Sequence, residues 1–83
     1  MLDEDQFCKI EFNGKEYDSR HGGAFDRGSA DSHYNRPRDP HYYAGATYRS
    51  NQVLEVMMTA ELVEAYHAGY DYNERFGDKK EWN

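Results

Sequence analysis

Ala24-Phe25-Asp26-Arg27-Gly28 is repeated in outline 41 residues later as Ala65-Tyr66-His67-Ala68-Gly69, and this pair of stretches decides the fold. Each places a small residue, an aromatic beside it, and a glycine four positions after the small residue. A short polar residue follows four further on, Ser32 in the first stretch and Asn73 in the second. At helical spacing Ala24, Gly28 and Ser32 share one stripe, and Ala65, Gly69 and Asn73 share another. A glycine inside a helix costs about 1 kcal/mol against alanine, so two at matched positions need a compensating role. The reading is that two helices, related by an internal duplication, cross closely at these stripes. Phe25 and Tyr66 then pack beside the crossing.

Working outward, the first helix is expected over 24–34. It ends before Pro37, which turns Arg36 away from helical angles. The second is expected over 60–76, with Thr59 as N-cap, Glu61 and Glu64 in its first turns and Gly77 as its stop. Upstream, residues 1–6 are polar and expected to be flexible. From Phe7 to Phe12 the chain alternates, with Cys8, Ile10 and Phe12 on one face, and then meets Asn13-Gly14. That dipeptide is the strongest short hairpin signal, because a type I′ turn needs positive φ at both central residues. A hairpin over 7–18 is barely stable alone and must lie on the helices. Residues 35–51 read as a long loop punctuated by Pro37, Pro40 and Gly45, and Gln52–Met57 as a short strand or extended arm. The expected fold is α+β, one small domain over 7–83, an N-terminal β-hairpin packed on two helices.

Only 11 of the 83 residues are Leu, Ile, Val or Phe. That falls under the roughly 20% below which disorder is the first suspicion. Eight Tyr and one Trp answer it, since each aromatic buries roughly 150–250 Å². A Tyr-rich core is expected, with a second copy in a homodimer covering aromatics that one chain leaves bare. Cys8 is the single cysteine, so no intramolecular disulfide is available. No apolar run nears the ~20 residues of a membrane span, and Met1-Leu2-Asp3-Glu4-Asp5 does not read as a leader. A cytoplasmic protein without a membrane role is the expectation.

The net charge is −6, unevenly spread. Residues 20–49 hold five Arg against three Asp, whereas the rest of the chain is strongly acidic. Glu61, Glu64, Asp71, Glu74 and Asp78, with Glu81 beyond, would cover the exposed side of the second helix. Such a face can imitate a polyanion and occupy a partner's basic cleft.

The stretch from His33 to Tyr43 is the most unusual in the chain. His33, Tyr34, Arg36, Arg38, His41, Tyr42 and Tyr43 sit among two rigidifying prolines. Arginine forks suit a phosphate or a partner's carboxylates, and arginine beside aromatic rings suits a stacked base. The four His (21, 33, 41, 67) lack the helical spacing of metal ligands, and no metal site or cofactor is expected. No nucleophile–base pair, carboxylate pair or phosphate-cradling glycine loop stands out. The expectation is a binding protein, not an enzyme.

Ala24 to Asp31, Arg38-Asp39-Pro40-His41-Tyr42 and Ala65 to Tyr70 resemble the short proteins grouped with ribosome modulation factor. That family is basic and binds ribosomal RNA, so the resemblance implies a module for RNA or a nucleotide. The longer string from Gly22 to Tyr34, followed by Arg36-Pro37-Arg38-Asp39-Pro40-His41-Tyr42-Tyr43, looks like small tailed-phage proteins over about residues 17–82. This second resemblance implies an accessory protein of the infected host's cytoplasm that binds and blocks a host protein, as in host takeover or anti-defence. A structural small subunit is a further reading.

Overall fold

The computed structural model describes residues 9–45 and 51–79. Among them the order is β1 (Lys9–Phe12), β2 (Lys15–Asp18), α1 (Ala24–His33), β3 (His41–Tyr43), β4 (Gln52–Leu54), a 3-10 turn (Glu55–Met57) and α2 (Ala60–Phe76). The expected flexible segment 1–6, the start of the first strand at Phe7 and Cys8, and Glu81 lie outside the described residues.

Asn13 and Gly14 both take positive φ, 54° and 78°, so the turn is of the type that the dipeptide favours. It sets the antiparallel register Phe12↔Lys15, Glu11↔Glu16, Ile10↔Tyr17 and Lys9↔Asp18. Phe12 and Tyr17 face inward and join Phe25 and Ala68, with Ile10, Ala65 and Tyr72 against them. Tyr17 and Phe25 rings lie 5.5 Å apart, and Phe12 meets Tyr72 edge-on at 5.6 Å. Lys15, on β2, reaches Glu64 of α2 at 2.5 Å and pins the hairpin to that helix. This small domain is therefore α+β, an N-terminal hairpin packed on two helices.

The helices cross where their glycines meet. A Cβ on Gly28 would overlap the backbone carbonyl oxygen of Tyr66, and a Cβ on Gly69 would overlap that of Phe25. Each glycine thus faces the residue three positions before the other. Ala24 and Ser32 are buried beside Gly28, and Asn73 beside Gly69, with Ala65 half-buried. Asn73 Nδ2 donates to Ser32 Oγ at 3.1 Å, closing the stripe at its polar end. Such packing follows from small residues at matched spacing, whatever their origin.

α1 ends one residue earlier than the 24–34 expectation, with Tyr34 as its C-cap. Asn35 takes φ of 58°, its N–H donates to the Ser32 carbonyl (3.0 Å), and the Arg36 N–H donates to that of Asp31 (2.8 Å). This is a left-handed helix stop with Asn in place of Gly. α2 starts as expected at Thr59, whose hydroxyl accepts from the Leu62 N–H at 3.2 Å, and stops at Gly77.

The expected 35–51 loop needs correction. His41–Tyr43 is a strand, paired antiparallel with β4 in the register His41↔Leu54, Tyr42↔Val53, Tyr43↔Gln52. Its alternation, His41 and Tyr43 buried and Tyr42 half-buried, is that of a strand with one face on the helices. The Tyr43 N–H donates to Gly22, at 2.7 Å, which ties β3 to the approach of α1.

Candidate binding face

The long connector divides into residues turned in and residues turned out. His41 and Tyr43, both expected on a recognition loop, are only 6% and 7% exposed. The reason is the strand: its inward side lies over the α1–α2 crossing, where two flat rings fill space that the scarce aliphatics cannot. Tyr42 is half-buried between them.

Beneath lies a buried polar network that the residue pattern did not announce. Asp31, only 3% exposed, accepts a short hydrogen bond from the hydroxyl of the fully buried Tyr66. The same hydroxyl accepts from the Asp39 N–H at 2.9 Å. His41 donates from Nδ1 to the Asp39 carbonyl at 2.7 Å, which leaves Nε2 to accept from Arg27 Nε at 3.3 Å. Arg36 stands 3.6 Å from the Asp31 carboxylate on its exposed side. Burial first, and then the bond to Asp31, push the Tyr66 phenol well above its ordinary value. One signal was legible: Asp31 follows Gly28 by three, an acid on the buried side of a helix, and a buried acid demands partners.

The outward set is Tyr34, Arg36 and Arg38, joined by His67, Tyr70 and Asp71 of α2. The Arg36 guanidinium lies 5.0 Å over the Tyr34 ring, and that of Arg38 4.3 Å over Tyr70. Tyr70 donates its hydroxyl to the Arg36 carbonyl at 2.5 Å, so the two stacks are fastened together. Arg38 also donates to His67 Nδ1 at 3.2 Å and to the Asp71 carboxylate. Both arginines stay accessible, with side chains 50% and 40% exposed. His33, the remaining residue of the expected loop, is half-buried and instead holds the Asp78 carbonyl at 2.7 Å. His33 and His41 are thus assigned to different neighbours.

The acidic face is exposed, yet much of its charge is matched. Glu64 pairs with Lys15, Asp71 with Arg38, and Glu74 with Lys79. The Lys79 ammonium and then the Ser32 hydroxyl hold the Glu74 carboxyl below the usual carboxylate range. Glu61 and Asp78 are exposed as well. An acidic surface built to enter a basic cleft would keep its charge unpaired; here three carboxylates serve to fasten α2 to its surroundings.

No helix among the described residues is long and apolar enough to cross a membrane. Comparison with family models, with curated proteins and with solved structures gives no match to this chain.

Proposed function

We propose that this chain is a small acidic accessory protein that binds, and so inhibits or modulates, another protein, with its recognition carried by Tyr34, Arg36, Arg38 and Tyr70. The phage-type resemblance makes that partner a host protein and the site of action the host cytoplasm. The observation that carries the reading is the paired stack, two exposed arginines laid over two tyrosines and fastened by the Tyr70–Arg36 bond. Tyrosine and arginine are the side chains that dominate protein interfaces. Holding them in place beforehand lowers the ordering cost of association. No cofactor enters this role.

The nucleotide or RNA reading rests on the same stacks, since an arginine over an aromatic ring also suits a base. Charge argues for a protein instead. Asp31 and Asp71 already neutralise Arg36 and Arg38, and the chain as a whole stands at −6. Little net field is left to draw in a polyanion, whereas flat faces and spare donors remain for a protein surface.

The test is affinity capture from a bacterial lysate with mass spectrometry, run on the wild type and on the Arg36→Ala/Arg38→Ala double variant. A stoichiometric protein complex that the double variant loses is the expected result. A complex that survives the double variant would overturn the assignment of this face. A labelled RNA or nucleotide that binds with strong salt dependence, and is lost in the double variant, would select the second reading.

A further inference from the structure

The β3–β4 pair is two short strands with one edge in use and the other open. Ala44 donates to the Asn51 carbonyl at 3.0 Å, so the Ala44–Asn51 and Tyr42–Val53 pairs bond across the ladder. The intervening Tyr43 N–H points the other way, to Gly22, which confirms the phase. On β4, then, Val53 turns its backbone groups to β3. Gln52 and Leu54 turn theirs outward, and no strand among the described residues lies on that side. Leu54 holds extended angles, φ −86° and ψ 161°, so the edge is straight to its end. Apolar side chains are exposed at its end and past it, Leu54 at 55%, Val56 at 85% and Met57 at 75%, with Glu55 exposed among them.

Natural edges are usually blunted by lysine, proline or a bulge. This one is kept short, at three residues, but carries no lysine, proline or bulge. In a chain where 31% of residues are charged, Glu55 is the only charge between Ser50 and Ala60. For a protein at −6, a neutral strip is where two copies approach with least repulsion.

We infer that a second copy of this chain docks on β4, edge to edge and antiparallel, to give a four-stranded sheet across a two-fold axis at Val53. The outward groups dictate the register. Gln52 of one copy exchanges both backbone bonds with Leu54 of the other, and the reverse holds across the axis. Val53 then faces Val53 as the close, non-bonded pair, a β-branched contact that favours a sheet. Glu55 falls opposite Asn51, so no like charges meet. Leu54, Val56 and Met57, bare in a single chain, are the apolar side chains that such a junction would cover. A sheet of four strands also removes the weakness of an isolated pair. This goes beyond the proposed binding role and does not depend on the arginine stacks.

The experiment is sedimentation of the full chain over a concentration series, with two variants. Wild type is expected to pass from monomer to dimer. Leu54→Pro deletes one outward donor per copy at a φ that proline nearly accepts, and leaves the bonds to β3 intact. It should weaken association about tenfold or more while circular dichroism keeps the helical signal. In a Cys8→Ser background, Val53→Cys should form a covalent dimer on mild oxidation. The facing Cα atoms would be about 4.5 Å apart, within disulfide reach. Asn51→Cys should not, because its copy lies more than ~10 Å away in this register. A wild-type chain that stays monomeric to ~1 mM would overturn the dimer. Efficient cross-linking through Asn51→Cys but not Val53→Cys would overturn the register. Should Leu54→Pro fail to fold, the cysteine pair still decides.

Discussion

Gly28 of α1 lies directly against the backbone carbonyl of Tyr66 on α2, with no room for a β-carbon between them. Gly69 meets Phe25 in the same way. This reciprocal contact brings two helices to backbone distance, and everything in the candidate face is hung from it. Tyr66, which supplies the carbonyl at the crossing, also sends its hydroxyl to Asp31, and Asp31 in turn anchors Arg36.

Gly28→Ala and Gly69→Ala should each destabilise the fold. Alanine gains about 1 kcal/mol of helix preference, but its methyl meets backbone, which cannot rotate aside as a side chain can. A net loss of about 2 kcal/mol or more is expected from denaturant midpoints at unchanged slope. Either variant proving as stable as wild type would mean that the helices do not touch there.

Tyr66→Phe removes a hydroxyl that donates to a buried carboxylate and accepts from the Asp39 N–H. Leaving those partners short should cost about 1–3 kcal/mol at neutral pH. The variant should also differ in alkali. Because the folded phenol holds its proton above the ordinary value of 10, the unfolded chain releases it first. That contribution is complete below pH 10 and is lost as pH rises beyond it, by up to ~1.4 kcal/mol per pH unit. Stability of wild type minus variant, measured from pH 8 to pH 11, should shrink above 10. A constant difference would sink the assignment.

Much of the fold was legible because its signals are local and steric. Asn13-Gly14 permits few turns, and Gly28 with Gly69 is explicable only by close approach. A short strand from Gln52 was one of two readings of that segment, but its partner escaped, because the three residues His41–Tyr43 carry too short an alternation to stand out beside Pro40 and Gly45. The candidate face was half legible for a related reason. Tyr34, Arg36 and Arg38 were named from their chemistry, but Tyr70 and His67 come from a helix some 30 residues away, and only the crossing brings them alongside.

Glu74 should shape the acid limb of stability. Its carboxyl is held low by Lys79 and Ser32, so the contribution is present at neutral pH and lost as pH falls through the folded value, below 4.5. Glu74→Gln should flatten unfolding curves between pH 5 and pH 3. The effect is expected to be modest and weaker in high salt, because the pair is exposed to water. No change in the acid limb would show that the contact with Lys79 does not persist in solution.

Asn35 offers the sharpest link between backbone and recognition. Its φ of 58° ends α1 and sends Arg36, Pro37 and Arg38 across the surface of α2. Glycine accepts that angle freely and asparagine tolerates it, whereas a β-branched residue does not. Asn35→Gly should therefore keep the helix stop and with it partner capture. Asn35→Val should lose about 1–2 kcal/mol and, more tellingly, loosen the arginines from Tyr34 and Tyr70. Capture should then fall in Asn35→Val under conditions where the variant is still folded by circular dichroism. Were capture to persist at full strength, the pre-set posture of Arg36 and Arg38 would have no part in binding, and the stacks would be structural only.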